Sequence, residues 1–205
     1  MRPEALGELH LDALRETANI GAGHAATALS DLSGRRVMVD VPDVAIRPID
    51  RVAELLGDPT QPVAAVIVRV SGDLNGRVLQ VFERDAAVTL VQLLRGGDEP
   101  DFPAGFDSLE QSAMKEIGNV LVGTYLSALS ALTGLTATMT IPSFALDMAG
   151  AILVAGYVDP AVEEDHVVSI ATRLGVDGSD DLRAHFLLIP DEASLKRILK
   201  ALRVE

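Results

Sequence analysis

The spacing of apolar residues divides the chain into successive segments of helix and strand. Apolar or small residues recur about every 3.6 positions in four segments, which predicts helices over residues 9–32, 83–94, 107–132 and 192–202. Short stretches rich in Val, Ile and Leu predict strands over residues 37–41, 64–70, 77–82, 136–141, 167–174 and 184–189. Three other segments are less regular: residues 44–49 fit a short strand, 51–56 fit one or two helical turns, and 144–155 fit either a strand or a short helix.

Turn and capping residues mark where several of these elements end. Asn75-Gly76 lies between two predicted strands, as in a β-hairpin. The strands over residues 167–174 and 184–189 are predicted to form a second hairpin, with residues 175–181 as its loop. Asp107 and Glu110 form a capping signature at the start of the third helix. We expect Pro42 and Pro142 each to close a strand, because proline cannot donate a hydrogen bond to a neighbouring strand.

The order of predicted elements is the same in both halves of the chain: helix, strand, short element, two strands, helix. Residues 98–106 lie between the halves and contain two prolines and a glycine, which indicates a linker. This order predicts an internal duplication, with repeats over about residues 8–97 and 107–205 of one domain that spans residues 1–205. Two such halves can share one continuous antiparallel sheet about a pseudo-two-fold axis. We therefore expect an α+β fold in which the two long helices flank that sheet.

One polar pattern occurs in both long helices at a constant offset of 100 residues. Its members are Asp12, Glu16, Asn19 and Pro42 in the first half and Ser112, Glu116, Asn119 and Pro142 in the second. In each copy the three residues before the proline lie on one helical face, because residues three and four apart are neighbours on a helix. We interpret each copy as a small polar site on the exposed stripe of an otherwise apolar helix.

Two copies in register favour a function more strongly than one copy does. A single Glu-x-x-Asn pair is common on solvated helix faces, but most of the sequence between the two copies differs from one half to the other.

Gly23 and Gly123 coincide at the same offset, and we expect them to let a helix or the sheet approach closely, since glycine in a helix costs about 1 kcal/mol. Residues 21–26 match the G-x-G-x-x-A dinucleotide fingerprint, but inside a helix rather than after a strand, which excludes that reading.

The composition predicts a domain with an aliphatic core. Of the 205 residues, 48% are hydrophobic and only 3% are aromatic. No apolar run reaches the roughly 20 residues of a membrane span, and none follows the first charged residues as in a signal peptide. We therefore expect a cytoplasmic protein that does not insert into a membrane. The absence of cysteine excludes thiol nucleophiles, disulfides and thiolate metal sites.

The charge limits the partners of the protein. A net charge of −13 argues against nucleic acid, since binding to a phosphate backbone needs a surplus of Lys and Arg. The acidity is consistent with solubility alone and equally with an acidic face for a basic partner. The histidines follow no metal-ligand spacing and predict no metal site: they are His10, His24, His166 and His185.

With these features the chain resembles the CheC family of chemotaxis phosphatases, within the CheC/CheX/FliY group. The family motif is Asp or Ser, three residues, Glu, two residues, Asn, about 22 residues and Pro, and both copies match it. Residues 19–30 are also similar to the first helix of the family, and the resemblance extends over essentially the whole chain. Two motif copies favour CheC over CheX, which carries one. A flagellar-switch component is disfavoured because the extra C-terminal domain of FliY is missing.

The resemblance implies a phosphatase that hydrolyses the aspartyl phosphate of a CheY-like response regulator. Asn19 and Asn119 would hold a water in line with the phosphorus, because a side-chain amide offers an acceptor and two donors. Glu16 and Glu116 would pair with the active-site Lys of the receiver. The phosphatase would need no cofactor of its own, since the receiver holds a divalent cation.

The resemblance leaves two further questions open. Asp12 and Ser112 would either contact a loop of the partner or cap or brace the Glu. Because CheC proteins also bind CheD, a receptor deamidase, the alternative function is a binding module with little catalysis that docks and inhibits a CheD-like protein. We expect that docking at residues 144–155, where three apolar side chains would form a surface: Phe144, Met148 and Ile152. With both repeats in one chain, we expect a monomer.

Overall fold

The computed structural model describes residues 8–96, 100, 102, 105–157, 166–177 and 179–202. Within this part of the chain the α-helices are α1 (Glu8–Ser33), α2 (Arg84–Arg95), α3 (Ser108–Thr133), α4 (Ala149–Tyr157) and α5 (Glu192–Ala201), and a 3-10 helix spans Ile49–Leu55. The strands are β1 (Val37–Pro48), β2 (Pro62–Gly72), β3 (Gly76–Phe82), β4 (Ala137–Met139), β5 (Ser143–Met148), β6 (His166–Val176) and β7 (Ser179–Pro190). Part of the expected linker, residues 97–99, 101 and 103–104, lies outside the described residues.

All seven of these strands form one sheet, and every neighbouring pair is antiparallel. The order is β1–β6–β7–β3–β2–β4, and β5 also pairs with β2, at the end opposite to β4. Both predicted hairpins are present, as β2 with β3 and β6 with β7. The expected α+β fold with an antiparallel sheet and flanking helices is confirmed.

Helices cover both faces of the sheet. On one face α1, α2, α3 and α5 enclose the larger apolar core, and α1 packs against α3. On the other face the 3-10 helix and α4 cover a smaller apolar cluster that includes Val52, Ile152 and Leu187. Both long helices therefore lie on the same face of the sheet. No helix in the described part of the chain combines the length and the apolar character that crossing a membrane would need.

The first strand does not end at Pro42, so that expectation was wrong. β1 continues to Pro48 and pairs with β6 on both sides of a register shift between Asp40 and Asp43. The bulge takes Pro42 out of the ladder, so its missing N–H leaves no gap in the pairing. Pro142 does lie at a strand boundary, in the short segment between β4 and β5. The two prolines therefore occupy different surroundings.

Residues 144–155 form a strand and then a helix, so both expectations apply in succession. Phe144 is turned towards the core, where its ring stacks on Phe106 with the centroids 5.7 Å apart. Ile152 is buried in the smaller apolar cluster. The expected surface of Phe144, Met148 and Ile152 is therefore wrong, because the change from strand to helix at residue 149 changes the side-chain period. Only Met148 of the three is exposed.

Gly23 and Gly123 do not bring elements together, contrary to the expectation from sequence. A Cβ atom added at Gly23 would meet nothing within 4 Å. At Gly123 it would lie 3.6 Å from the terminal methyl group of Met139, which is an ordinary van der Waals contact. Packing therefore does not require glycine at either position.

The close approaches occur instead at Gly21 and Gly118. A Cβ atom at Gly21 would lie 2.7 Å from the ring of Tyr125, where α1 packs on α3. At Gly118 it would lie 2.6 Å from Cβ of Val66, where α3 packs on β2. Both glycines fall on the buried stripes of their helices, so packing accounts for them.

Candidate functional site

Local sequence fixes where α3 begins, and hence where the second motif copy lies. The Asp107 carboxylate accepts hydrogen bonds from the N–H groups of Leu109 and Glu110, both at 2.8 Å. The Glu110 carboxylate accepts from the N–H of Asp107 at 2.7 Å, which completes the predicted capping box. The bond from the Glu110 N–H is the main reason that the pKa of Asp107 is lowered. Arg95, at the end of α2, pairs with Glu110 at 2.6 Å and ties α3 to its neighbour.

Each motif helix buries one stripe and presents the motif residues on another. The buried stripe of α1 consists of Leu14, Ala18, Ala22, Ala25 and Leu29. Asp12, Glu16 and Asn19 are exposed on the same helix. In α3 the corresponding Ser112 and Glu116 are exposed and Asn119 is half-buried. The structure therefore brings the three helix residues of each copy together at the surface.

The side chains of Glu16, Asn19, Glu116 and Asn119 make no hydrogen bond or ion pair with any residue that the structure describes. Asp12 instead pairs with Arg15 at 3.1 Å. The Ser112 hydroxyl donates to the carbonyl of Ser108 at 2.8 Å. Neither Asp12 nor Ser112 braces the Glu of its own copy, although that was one of the two roles considered for them.

The second copy lines an open groove of about 270 Å³. Its walls are Ser112, Lys115, Glu116, Asn119, Ile141 and Pro142, which includes all four motif residues. Ile141 is 92% exposed, the largest exposure among the big apolar residues that the structure describes. The motif search missed Ile141, although an isoleucine next to the motif proline was a visible signal.

The first copy differs at the equivalent position. Val41, which corresponds to Ile141, is half-buried and packs against the larger core. The difference arises because β1 runs through Pro42, whereas the segment around Pro142 lies between two strands. The two copies thus share their helix residues but not the apolar edge beside them.

No group of three or more potential metal ligands occurs among the described residues. His185 is the most deeply perturbed histidine there, because burial and, to a lesser degree, Arg183 lower its pKa to about 4. Its Nε2 atom lies 3.9 Å from the Glu83 carboxylate and has no hydrogen-bond partner among the described residues. Burial therefore outweighs the distant carboxylate, and the neutral form of His185 is favoured.

The fold is shared with solved chemotaxis and flagellar proteins. The structure of Thermotoga maritima FliY matches with a TM-score of 0.74 and 23% identity over 97% of this chain and 98% of that chain. A chain of the CheX-CheY-BeF3-Mg²⁺ complex from Borrelia burgdorferi matches with a TM-score of 0.52 and 15% identity over 86% of this chain and 97% of that chain. At these identities the likeness concerns the fold alone.

Sequence comparison identifies the family. Residues 9–46 match the CheC-like family, and residues 64–163 match the family described as chemotaxis phosphatase CheX. The chain is 33% identical to the CheY-P phosphatase CheC of Bacillus subtilis strain 168 over 199 residues, which is 95% of this chain and 94% of that protein. Since the identity extends over nearly the whole of both sequences, the chain belongs to the CheC family of chemotaxis phosphatases.

Proposed function

We propose that this protein hydrolyses the aspartyl phosphate of a CheY-type receiver at two similar sites, one on α1 and one on α3. The observation that carries the proposal is the pair of Glu and Asn side chains at the surface of each helix, of which only Asn119 is half-buried, and which have no partner among the described residues. Side chains of this kind remain available to a docking protein. The similarity to a CheY-P phosphatase over nearly the whole chain supports this substrate.

An aspartyl phosphate is already an activated acyl phosphate, so a phosphatase for it can act by positioning alone. Asn19 and Asn119 each offer an acceptor and two donors, which suit the orientation of a water in line with the phosphorus. The attack then needs no nucleophile or metal from this chain, and the divalent cation belongs to the receiver. The solved complex of CheX with CheY, BeF3 and Mg²⁺, in which one chain shares this fold, supports a CheY-type partner.

The remaining motif residues orient the docked receiver. Glu16 and Glu116 pair with the active-site Lys of the receiver, and that ion pair sets the angle at which the helix enters. Asp12 and Ser112 contact a loop of the receiver, since neither braces its own Glu. Ile141 adds an apolar edge at the second site only. Because Ile141 lines the same groove as Glu116 and Asn119, a receiver docked on those residues would cover it.

We also infer that the two sites arose by internal duplication within one monomeric, cytoplasmic domain. The strand order supports this inference. If β1 corresponds to β4 and β5, β2 to β6, and β3 to β7, the order β1–β6–β7 on one side of the sheet matches the order β4/β5–β2–β3 on the other. The central pair is β7 and β3, the last strand of each half. Two 26-residue helices, α1 and α3, begin the halves.

The test is the release of phosphate from a CheY receiver that carries radiolabelled phosphate on its aspartate. We expect the full chain, with Mg²⁺ present, to accelerate label loss in proportion to the concentration of the chain. A divalent-cation chelator added at the end provides a control, because the cation should be required by the receiver. Equal label loss with and without the chain would refute the proposed activity.

A second function, docking of a CheD-like deamidase, is favoured by the surface of α4. Met148, the last residue of β5, and Val154 in α4 are 53% and 61% exposed, and α4 carries no charged residue. An exposed apolar patch is typical of an interaction surface, and a partner that covers Met148 and α4 would meet no charge on that helix. We expect Met148→Glu with Val154→Glu to abolish capture of a purified CheD-like protein while phosphatase activity without that partner persists. Undiminished capture would exclude α4 as the docking surface.

A further inference from the structure

Gly23 in α1 and Gly123 in α3 stand one helical turn beyond the motif asparagines, at the same offset as the motif. Both lie inside long helices, where glycine is the least favourable residue apart from proline. Gly23 is exposed and Gly123 is half-buried. Glycine at both positions therefore costs helix stability, and that cost needs a reason other than helix formation.

The fold itself gives no such requirement. Neither glycine has a positive φ angle, so no special backbone conformation demands it. A Cβ atom would meet nothing at Gly23 and only a flexible methyl group at ordinary distance at Gly123. By contrast, Gly21 and Gly118 in the same helices are needed for packing. The comparison within each helix separates glycines that the fold uses from glycines that it does not.

The position on the helix points to the docked partner. With 3.6 residues per turn, Asp12, Glu16 and Asn19 span an arc of about 60° on the helix. Gly23 falls inside that arc. Gly123 has the same relation to its own copy of the motif. Each glycine therefore extends the surface that the proposed function assigns to the receiver, and leaves that surface without a side chain.

We infer that Gly23 and Gly123 are positioning residues of the two phosphatase sites. Because glycine has no side chain, the receiver surface around the phosphorylated aspartate can contact the helix backbone next to the Asn. A side chain here would hold the receiver away from the helix and carry the phosphorus away from the water that the amide orients. A misplacement of about 1 Å is enough to lower a rate by roughly 100-fold. This inference rests on the proposed function.

The double variant Gly23→Ala with Gly123→Ala tests the inference, because stability and catalysis should change in opposite directions. Alanine favours the helix, so the Tm should rise by about 2 °C or more. The kcat should fall, because the phosphorus is held away from the oriented water, and the KM for the phosphorylated receiver should rise on the order of tenfold, as expected for one overpacked contact in an interface. The pair Gly23→Leu and Gly123→Leu should raise it further, because the effect follows side-chain size.

The matched control is His24→Ala with Asp31→Ala, two exposed residues of α1 outside the arc of the motif. These changes also favour the helix, so they should raise the Tm but leave the KM unchanged. Unaltered kinetics in both glycine variants, or a fall in Tm, would overturn the inference while leaving the proposed function in place. A wild-type chain that releases no phosphate would overturn the proposed function itself, and the inference with it.

Discussion

Replacing Asn19 and Asn119 together by alanine is expected to lower phosphate release by at least about 100-fold, to nearly the rate of the receiver alone. In the proposed chemistry no other group of this chain orients the attacking water, so no neighbour can replace the lost amides. The fold should not suffer, because neither amide bonds to a described residue. Alanine is also the better helix former, so the Tm should stay the same or rise slightly. Single-turnover decay of labelled receiver, measured beside thermal unfolding, gives both quantities.

The single variants and a conservative replacement sharpen this result. Asn19→Ala alone and Asn119→Ala alone should each leave the other site working, so their residual activities rank the two sites. Asn→Gln at both positions keeps the amide but moves it by one methylene, and should recover only part of the activity. A double alanine variant that works as fast as the wild type would show that the amides do not orient the water. The mechanism would then have to be abandoned even if the protein remains a phosphatase.

The motif copies could be located from sequence because helical geometry is local. Residues three and four apart share a face regardless of what surrounds the helix, so the exposed grouping of Glu16 with Asn19 follows from spacing. The capping box at Asp107 is equally local, and the structure contains it. The hairpins follow from short loops between β-branched segments. These features together gave the α+β class with an antiparallel sheet.

Features that depend on distant pairing could not be obtained in this way. Pro42 lies inside β1 because β6, more than 120 residues later, pairs on both sides of it. Ile141 is exposed because β4 and β5 pair with β2 separately and leave Ile141, which lies between them, outside the ladder. The glycine assignments failed for the same reason. Which of Gly21 and Gly23 meets another element depends on where α3 packs, and the spacing within α1 does not contain that information.

Replacing Glu16 and Glu116 by glutamine is expected to raise the KM for the phosphorylated receiver by about 30-fold or more, with a smaller effect on kcat. This follows from the proposed pairing with the receiver Lys, since truncating one partner of an ion pair desolvated at an interface costs about 2 kcal/mol or more. Glutamine keeps the shape and the hydrogen-bonding oxygen, so the change isolates the charge. Steady-state kinetics over a series of receiver concentrations separates the two constants.

Salt provides a second readout for the same variants. If the two carboxylates attract the receiver through charge, the wild-type KM should rise with ionic strength, because salt screens that attraction. The KM of the double variant should rise less, because the variant lacks the two screened charges. Asp50→Asn with Glu54→Gln is the matched control: both residues are exposed on the 3-10 helix, on the sheet face opposite to α1 and α3. It removes the same net charge from a protein of charge −13. If that control raises the KM as much as the motif variant does, the receiver responds to the overall field of the protein, and Glu16 and Glu116 lose their assigned role.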